Sequence, residues 1–168
     1  MYTLKIQFTT PQKGPLLLSA LIRLVLGTKY SHVLARWTGA RGKVDVVWES
    51  AGSGIRFLGP IAHEGKYKIV REYTIELTRP EYNKLIEYTH RYAHVKYGTA
   101  QLFGMLIAKT FRLNRNPISS GEEAQVCSEA VGGLLQYVKG WTLDVNLDVH
   151  GPDKLETWIQ KQLQDNSK

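Results

Sequence analysis

Three side chains of this sequence have the types that nucleophilic catalysis needs: a thiol at Cys127, an imidazole at His32 and a carboxylate at Glu49. A carboxylate can hold one nitrogen of an imidazole and leave the other as a proton acceptor. An imidazole held in that way can take the proton of a thiol and turn it into a nucleophile. Cys127 is the single cysteine of the chain. One cysteine excludes an intrachain disulfide and a cysteine-based zinc site. On its own, such a residue reads as a small buried hydrophobe. The chemistry therefore depends on which elements carry the three residues.

His32 and Glu49 fall in two β-rich runs, Tyr30–Thr38 and Lys43–Ser50, joined by the hairpin signal Gly39-Ala40-Arg41-Gly42. A four-residue loop sets Thr38 opposite Lys43, Arg36 opposite Asp45, Leu34 opposite Val47 and His32 opposite Glu49. On the other face Trp37 meets Val44, Ala35 meets Val46 and Val33 meets Trp48. This register pairs opposite charges and makes one apolar band, the pattern that cross-strand pairing rewards. A slip by one residue would destroy both features. The expectation is that His32 and Glu49 are direct neighbours, with Cβ atoms roughly 5 Å apart. From the hairpin alone, the pair reads equally as a structural ion pair.

Cys127 follows a polar stretch, Asn114–Glu122, that contains Asn-Pro and Ser-Gly and is expected to be a loop. It opens a predicted helix, Cys127–Val138, whose apolar residues Val131, Leu134, Leu135 and Val138 would pack on a sheet. The N-terminus of a helix favours a thiolate through the macrodipole, and its free N–H groups can serve as an oxyanion hole. Spacing alone does not fix the distance from Cys127 to His32.

The remaining pattern predicts a strand at Thr3–Thr9, a turn at Pro11–Gly14 and a helix over Pro15–Leu26 that stops at Gly27. A short strand is expected near Ile55–Leu58, an irregular loop at Gly59–Gly65 and a long extended stretch at Lys66–Leu77. Thr78-Arg79-Pro80-Glu81 is a capping box that opens the next helix. Further helices are predicted at Thr99–Phe111 and from Gly151-Pro152 to about Gln164. There is no repeat, low-complexity tract or linker. The expected fold class is α+β, an antiparallel sheet flanked by helices, formed by one domain over residues 1–168.

Hydrophobic residues make up 43% of the chain, a globular composition. The formal net charge of +7 suits anionic partners such as phosphate, lipid headgroups, teichoic polymers or nucleic acid, without choosing among them. The tryptophans read as packing residues, and no specific nucleic-acid partner is expected. The apolar run Leu16–Leu26 contains Arg23 and is too short to span a bilayer. It reads as a core helix, with a membrane-surface helix as the alternative. No signal peptide or transmembrane segment is visible, which suggests cytoplasmic synthesis. His90 and His94 have the i, i+4 spacing of metal ligands, but they lack an assured third donor and read as a solvated face. No metal and no cofactor is expected. Tyr30 and Tyr97 are candidates to line a substrate cleft.

Three ordered segments resemble the circularly permuted NlpC/P60 group of papain-like proteins, the branch that includes YiiX-like and lecithin:retinol acyltransferase-like members. They are Leu21-Ile22-Arg23 with Thr28-Lys29-Tyr30-Ser31-His32-Val33, then Val47-Trp48-Glu49-Ser50-Ala51, then Val126-Cys127-Ser128-Glu129-Ala130-Val131. Tyr97-Gly98, Gln101-Leu102-Phe103-Gly104 and Gly151-Pro152-Asp153-Lys154-Leu155 are softer matches. The order His, Glu, Cys is the permuted one. The resemblance implies a permuted papain-like fold with Cys127 as nucleophile, His32 as base and Glu49 as the third polar residue, a position that varies within such families. It also implies a cysteine-dependent acyl-transfer hydrolase of amidase or peptidase type, acting on a peptidoglycan peptide or another isopeptide. A lipid ester or amide at a membrane surface is the alternative substrate, and a basic, non-catalytic binding module on the same fold is the alternative function.

Overall fold

The fold is described from a computed structural model, for residues 1–14, 16–38, 45–52, 54–118 and 124–165. Five strands form an antiparallel sheet in the order β4-β3-β2-β1-β5, where β1 is Tyr2–Pro11, β2 His32–Thr38, β3 Asp45–Ala51, β4 Gly54–Leu58 and β5 Tyr67–Leu77. The helix α1, Leu16–Leu26, joins β1 to β2, and the single turn α2, Pro60–His63, precedes β5. Then follow α3 (Arg79–Arg91), β6 (Lys96–Tyr97), α4 (Thr99–Phe111), β7 (Ala124–Gln125), α5 (Cys127–Lys139) and α6 (Pro152–Asp165).

The alternation read from the sequence builds the sheet. Leu4, Ile6 and Phe8 of β1 are fully buried and pair with Trp37, Ala35 and Val33 of the central strand β2. Trp48 and Ile75 extend the same core. A bulge at Phe8/Thr9 shifts the pairing with β5 and adds local twist. The helix α5 covers this apolar layer with Val131, Leu134, Leu135 and Val138, all buried. Each such side chain contributes about 1.5–3 kcal/mol relative to exposure. α3 packs beside α5 so closely that a Cβ on Gly133 would lie 2.3 Å from Tyr88 Oη. Its capping box is formed as expected: Thr78 Oγ1 accepts from Glu81 N–H, and Glu81 Oε2 accepts from Thr78 N–H at 2.7 Å.

The β2–β3 register differs from the expected one. Arg36 pairs with Val47, Trp37 with Val46 and Thr38 with Asp45, a displacement of two residues. An even displacement keeps every side chain on its face, so the apolar band survives. Arg36 still reaches Asp45, now on the diagonal, with Nε donating at 3.0 Å. The connecting turn Gly39–Gly42 lies outside the described residues, as does the end of the loop Asn114–Glu122. The segment read as an irregular loop, Gly59–Gly65, contains α2. The pair β6–β7 is parallel and has no counterpart in the sequence reading.

The helix α1 is both core and surface. Ile22 and Leu26 pack with Leu102, Met105 and Leu106 of α4, whereas Leu17 and Leu24 face outward. No described helix is long and apolar enough to cross a membrane.

Candidate active site

His32 is the first residue of β2, and Cys127 is the first residue of α5. Glu49 sits on β3, on the same sheet face as His32 but one diagonal step away. The longer reach does not separate them: His32 Nε2 donates to Glu49 Oε2 at 2.9 Å. Nδ1 is then the ring nitrogen left to a second partner. Burial disfavours charge on this imidazole. The hydrogen bonds to Cys127 and then Glu49, together with the negative charge of those groups, outweigh burial and raise His32 to about 9. The imidazole thus stands between the thiol and the carboxylate.

Glu49 is fully buried. Burial alone would raise its carboxyl, but the hydrogen bond and charge of His32, with Arg56 and Lys66 beyond, hold it far below the ordinary carboxylate range. Arg56 Nε donates to Oε1 at 2.9 Å, and Lys66 Nζ lies 3.5 Å from the same oxygen. Each carboxylate oxygen is therefore committed, one to the imidazole and the other to cations. Tyr67 stacks on the His32 ring at 5.2 Å between centroids. Its phenol is pushed above its usual range by burial first and by Glu49 second. The His63 ring lies tilted against Tyr67 at 5.3 Å between centroids, and burial lowers it against the pull of Glu49.

The tip of α5 is held from two sides. Ser50 Oγ, next to Glu49 on β3, donates to Gln125 O at 2.7 Å. Glu129, from the Cys-Ser-Glu segment, accepts from Val126 N–H at 3.1 Å. Gln101 Nε2 donates to Glu129 Oε1 at 2.7 Å and to Asp148 Oδ1 at 2.9 Å. Burial, and to a lesser degree Asp148, raises Glu129 to about 7. The softer sequence match around Gln101 thus has a structural purpose: it fixes the first turn of the helix that starts at Cys127.

The two tyrosines separate. Tyr97 borders a cavity of about 270 Å³ together with His32, Tyr67, Pro11, Leu18 and Ile22, and its phenol is raised by burial and then by the charge of Cys127. Tyr30 turns instead towards α6, where its hydroxyl donates to Glu156, and it is not among the residues bordering the cavity. Arg56, Lys66, Tyr67 and His63 are the residues sequence reasoning missed. Only Arg56 had a usable signal, since it faces Glu49 directly across the β3–β4 hairpin. His90 Nδ1 lies 2.9 Å from Ile86 O of its own helix. Among the described residues no group of three or more His, Cys, Asp or Glu side chains is arranged to hold a metal ion.

The solved structure of the metalloprotein yiiX from Escherichia coli O157:H7 matches 93% of this chain and 81% of that one, with a TM-score of 0.56 and 21% sequence identity. The chain therefore has a fold similar to that of yiiX, mixed α+β with a five-stranded antiparallel sheet and flanking helices. No family model matches the sequence, and no curated protein matches it.

Proposed function

We propose that the chain is a cysteine-dependent acyl-transfer hydrolase on a circularly permuted NlpC/P60 papain-like fold, formed as one domain over residues 1–168. The observation that carries this reading is the placement of His32 between a wholly buried Glu49 and the Cys127 side chain at a helix tip. Near neutral pH His32, raised to about 9, holds on Nδ1 the proton drawn from Cys127, and the sulfur attacks the acyl carbon of an amide. The tetrahedral oxyanion is met by the free N–H groups of the first turn of α5. His32 returns its proton to the leaving amine nitrogen, and the C–N bond breaks to give a thioester. Water then loses a proton to His32 and attacks the thioester, releasing the acid and restoring the thiol. Glu49 orients the ring and balances the imidazolium.

The favoured substrate is an amide of the isopeptide kind. The apolar lining of the cavity by Pro11, Leu18 and Ile22 favours a second reading, in which the acyl group is a lipid chain held as an ester or amide. The metal in the name of yiiX finds no matching ligand set among the described residues here, and no step runs through one.

The test is labelling with an electrophilic thiol probe near neutral pH. Cys127 should react much faster than a free cysteine, and His32→Ala should remove the advantage. Labelling at the rate of a free thiol, unchanged in His32→Ala, would point to the non-catalytic binding module instead. Hydrolysis of model isopeptides against acyl esters then separates the two substrate classes.

A further inference from the structure

The helices that wall the cavity also carry the exposed apolar surface. On α1, Leu17, Leu21 and Leu24 follow the i, i+4, i+7 spacing of one stripe, with Leu17 89% and Leu24 81% exposed. On α4, Phe103, Ile107 and Phe111 form a second stripe, and Phe111 is 70% exposed. The two helices pack against each other through Ile22, Leu26, Leu102 and Leu106. Packing has thus used one side of each helix and left a second apolar side in water. Soluble proteins rarely leave such a patch without a partner.

The charge around these stripes is segregated. Residues 12–29 and 98–118 contain six basic residues, Lys13, Arg23, Lys29, Lys109, Arg112 and Arg115, and no acidic residue. They account for six of the seven net positive charges; the other 16 basic residues nearly balance the 15 acidic ones. Lys13, Lys29, Arg112 and Arg115 are exposed, and Arg23 and Lys109 are half-buried. Among the described residues none of the six makes an ion pair. An apolar stripe bordered by long cationic side chains matches a bilayer whose headgroups are anionic: leucines and phenylalanines enter the acyl boundary, while the cations reach the headgroups. A second copy of this face is a poor partner, because it would bring two unpaired positive borders together.

We propose that the α1–α4 face is a docking surface for an anionic lipid bilayer. The surface is independent of the thiol chemistry. Because Leu18, Ile22 and Tyr97 of the same region border the cavity, a docked molecule holds that cavity beside the bilayer.

The experiment is co-sedimentation of the full chain with vesicles of phosphatidylcholine alone or with phosphatidylglycerol added, at low and high salt. The chain should pellet with the anionic vesicles, release in high salt and ignore the neutral ones. Leu17→Glu with Leu24→Glu should weaken binding by at least about tenfold per leucine, with unchanged melting temperature and thiol labelling. If that pair melts early, Phe111→Ser provides the same comparison at a third exposed position. Arg112→Gln with Arg115→Gln should flatten the salt dependence. Cys127→Ala should bind like the parent, which keeps this proposal separate from the hydrolase reading. The proposal is overturned if the chain stays in the supernatant with anionic vesicles at low salt, if it binds neutral vesicles equally, or if the leucine variant binds as the parent does. A dimer dissolved by the leucine variant, without vesicle binding, would assign the face to a second copy instead.

Discussion

His32 Nε2 and Glu49 Oε2 lie 2.9 Å apart, and the carboxylate is closed off from solvent. A buried carboxylate of this kind acts on the ring through charge as well as through geometry, and the two contributions can be separated.

In a thiol-labelling assay, Cys127→Ala should abolish reaction, because no other thiol exists. His32→Ala should lower it by several orders of magnitude. Glu49→Gln keeps a hydrogen-bonding group but removes the charge that stabilises imidazolium. The expected loss is about 10- to 10⁴-fold. Since Glu49 also neutralises Arg56, the same change should cost about 1–3 kcal/mol of stability. Parent-like labelling in Glu49→Gln would reduce Glu49 to a structural partner.

Stability should follow pH in a definite window. His32 is raised from 6.5 to about 9, so its contribution is complete below 6.5 and lost as pH rises through 9. Glu49 is lowered from 4.5, so its contribution is complete above 4.5 and declines as pH falls below it. For this pair, thermal melts should show a plateau between 4.5 and 6.5 and a decline towards 9. His32→Gln should remove the alkaline decline, and an unchanged slope in that variant would refute the assignment.

Arg56 is about one third exposed at its side chain but neutralises a fully buried oxygen. Arg56→Met should therefore cost about 1–3 kcal/mol, less than the loss of a wholly buried partner. It should also move the acid limb of the melting profile to higher pH, because Glu49 loses a cation that holds its proton off. A melting temperature and acid limb identical to the parent's would show that Lys66 and His32 suffice.

Gln101→Leu removes the donor shared by Glu129 and Asp148. Glu129 titrates near 7, so the two carboxylates repel fully only above that pH. The variant should lose about 1–3 kcal/mol at pH 8 and less at pH 5. Thiol labelling should slow as the helix tip loosens. Equal losses at both pH values would rule out the electrostatic account.

Much of this was legible. Alternation set the faces of β1, β2 and β3, the capping box located the start of α3, and Val131, Leu134, Leu135 and Val138 gave α5 its buried side. The exact register of β2 against β3 was not, because faces repeat every two residues and a shift of two leaves the pattern intact. Side-chain reach then made up the difference between His32 and Glu49. Of the cations around Glu49, Arg56 has a signal in the β3–β4 hairpin, where it opposes Glu49, whereas Lys66 lies outside that hairpin and has none. Tyr67 and His63 carry no local signal, since only tertiary packing brings them to the ring. The parallel pair β6–β7 joins residues almost 30 positions apart, too far for a short-range pattern to show.

All five strands of the sheet lie within residues 2–77, and Cys127 follows 50 residues later. During synthesis from the N-terminus, the chain can complete its hydrogen-bonded ladder while Leu4, Ile6, Phe8, Trp37 and Trp48 still await the helix that covers them. A sheet formed before α5 emerges would leave that apolar face in water. The same covering event brings Cys127 to His32, so a chain that ends before α5 can hold the histidine and the carboxylate together but has no thiol beside them.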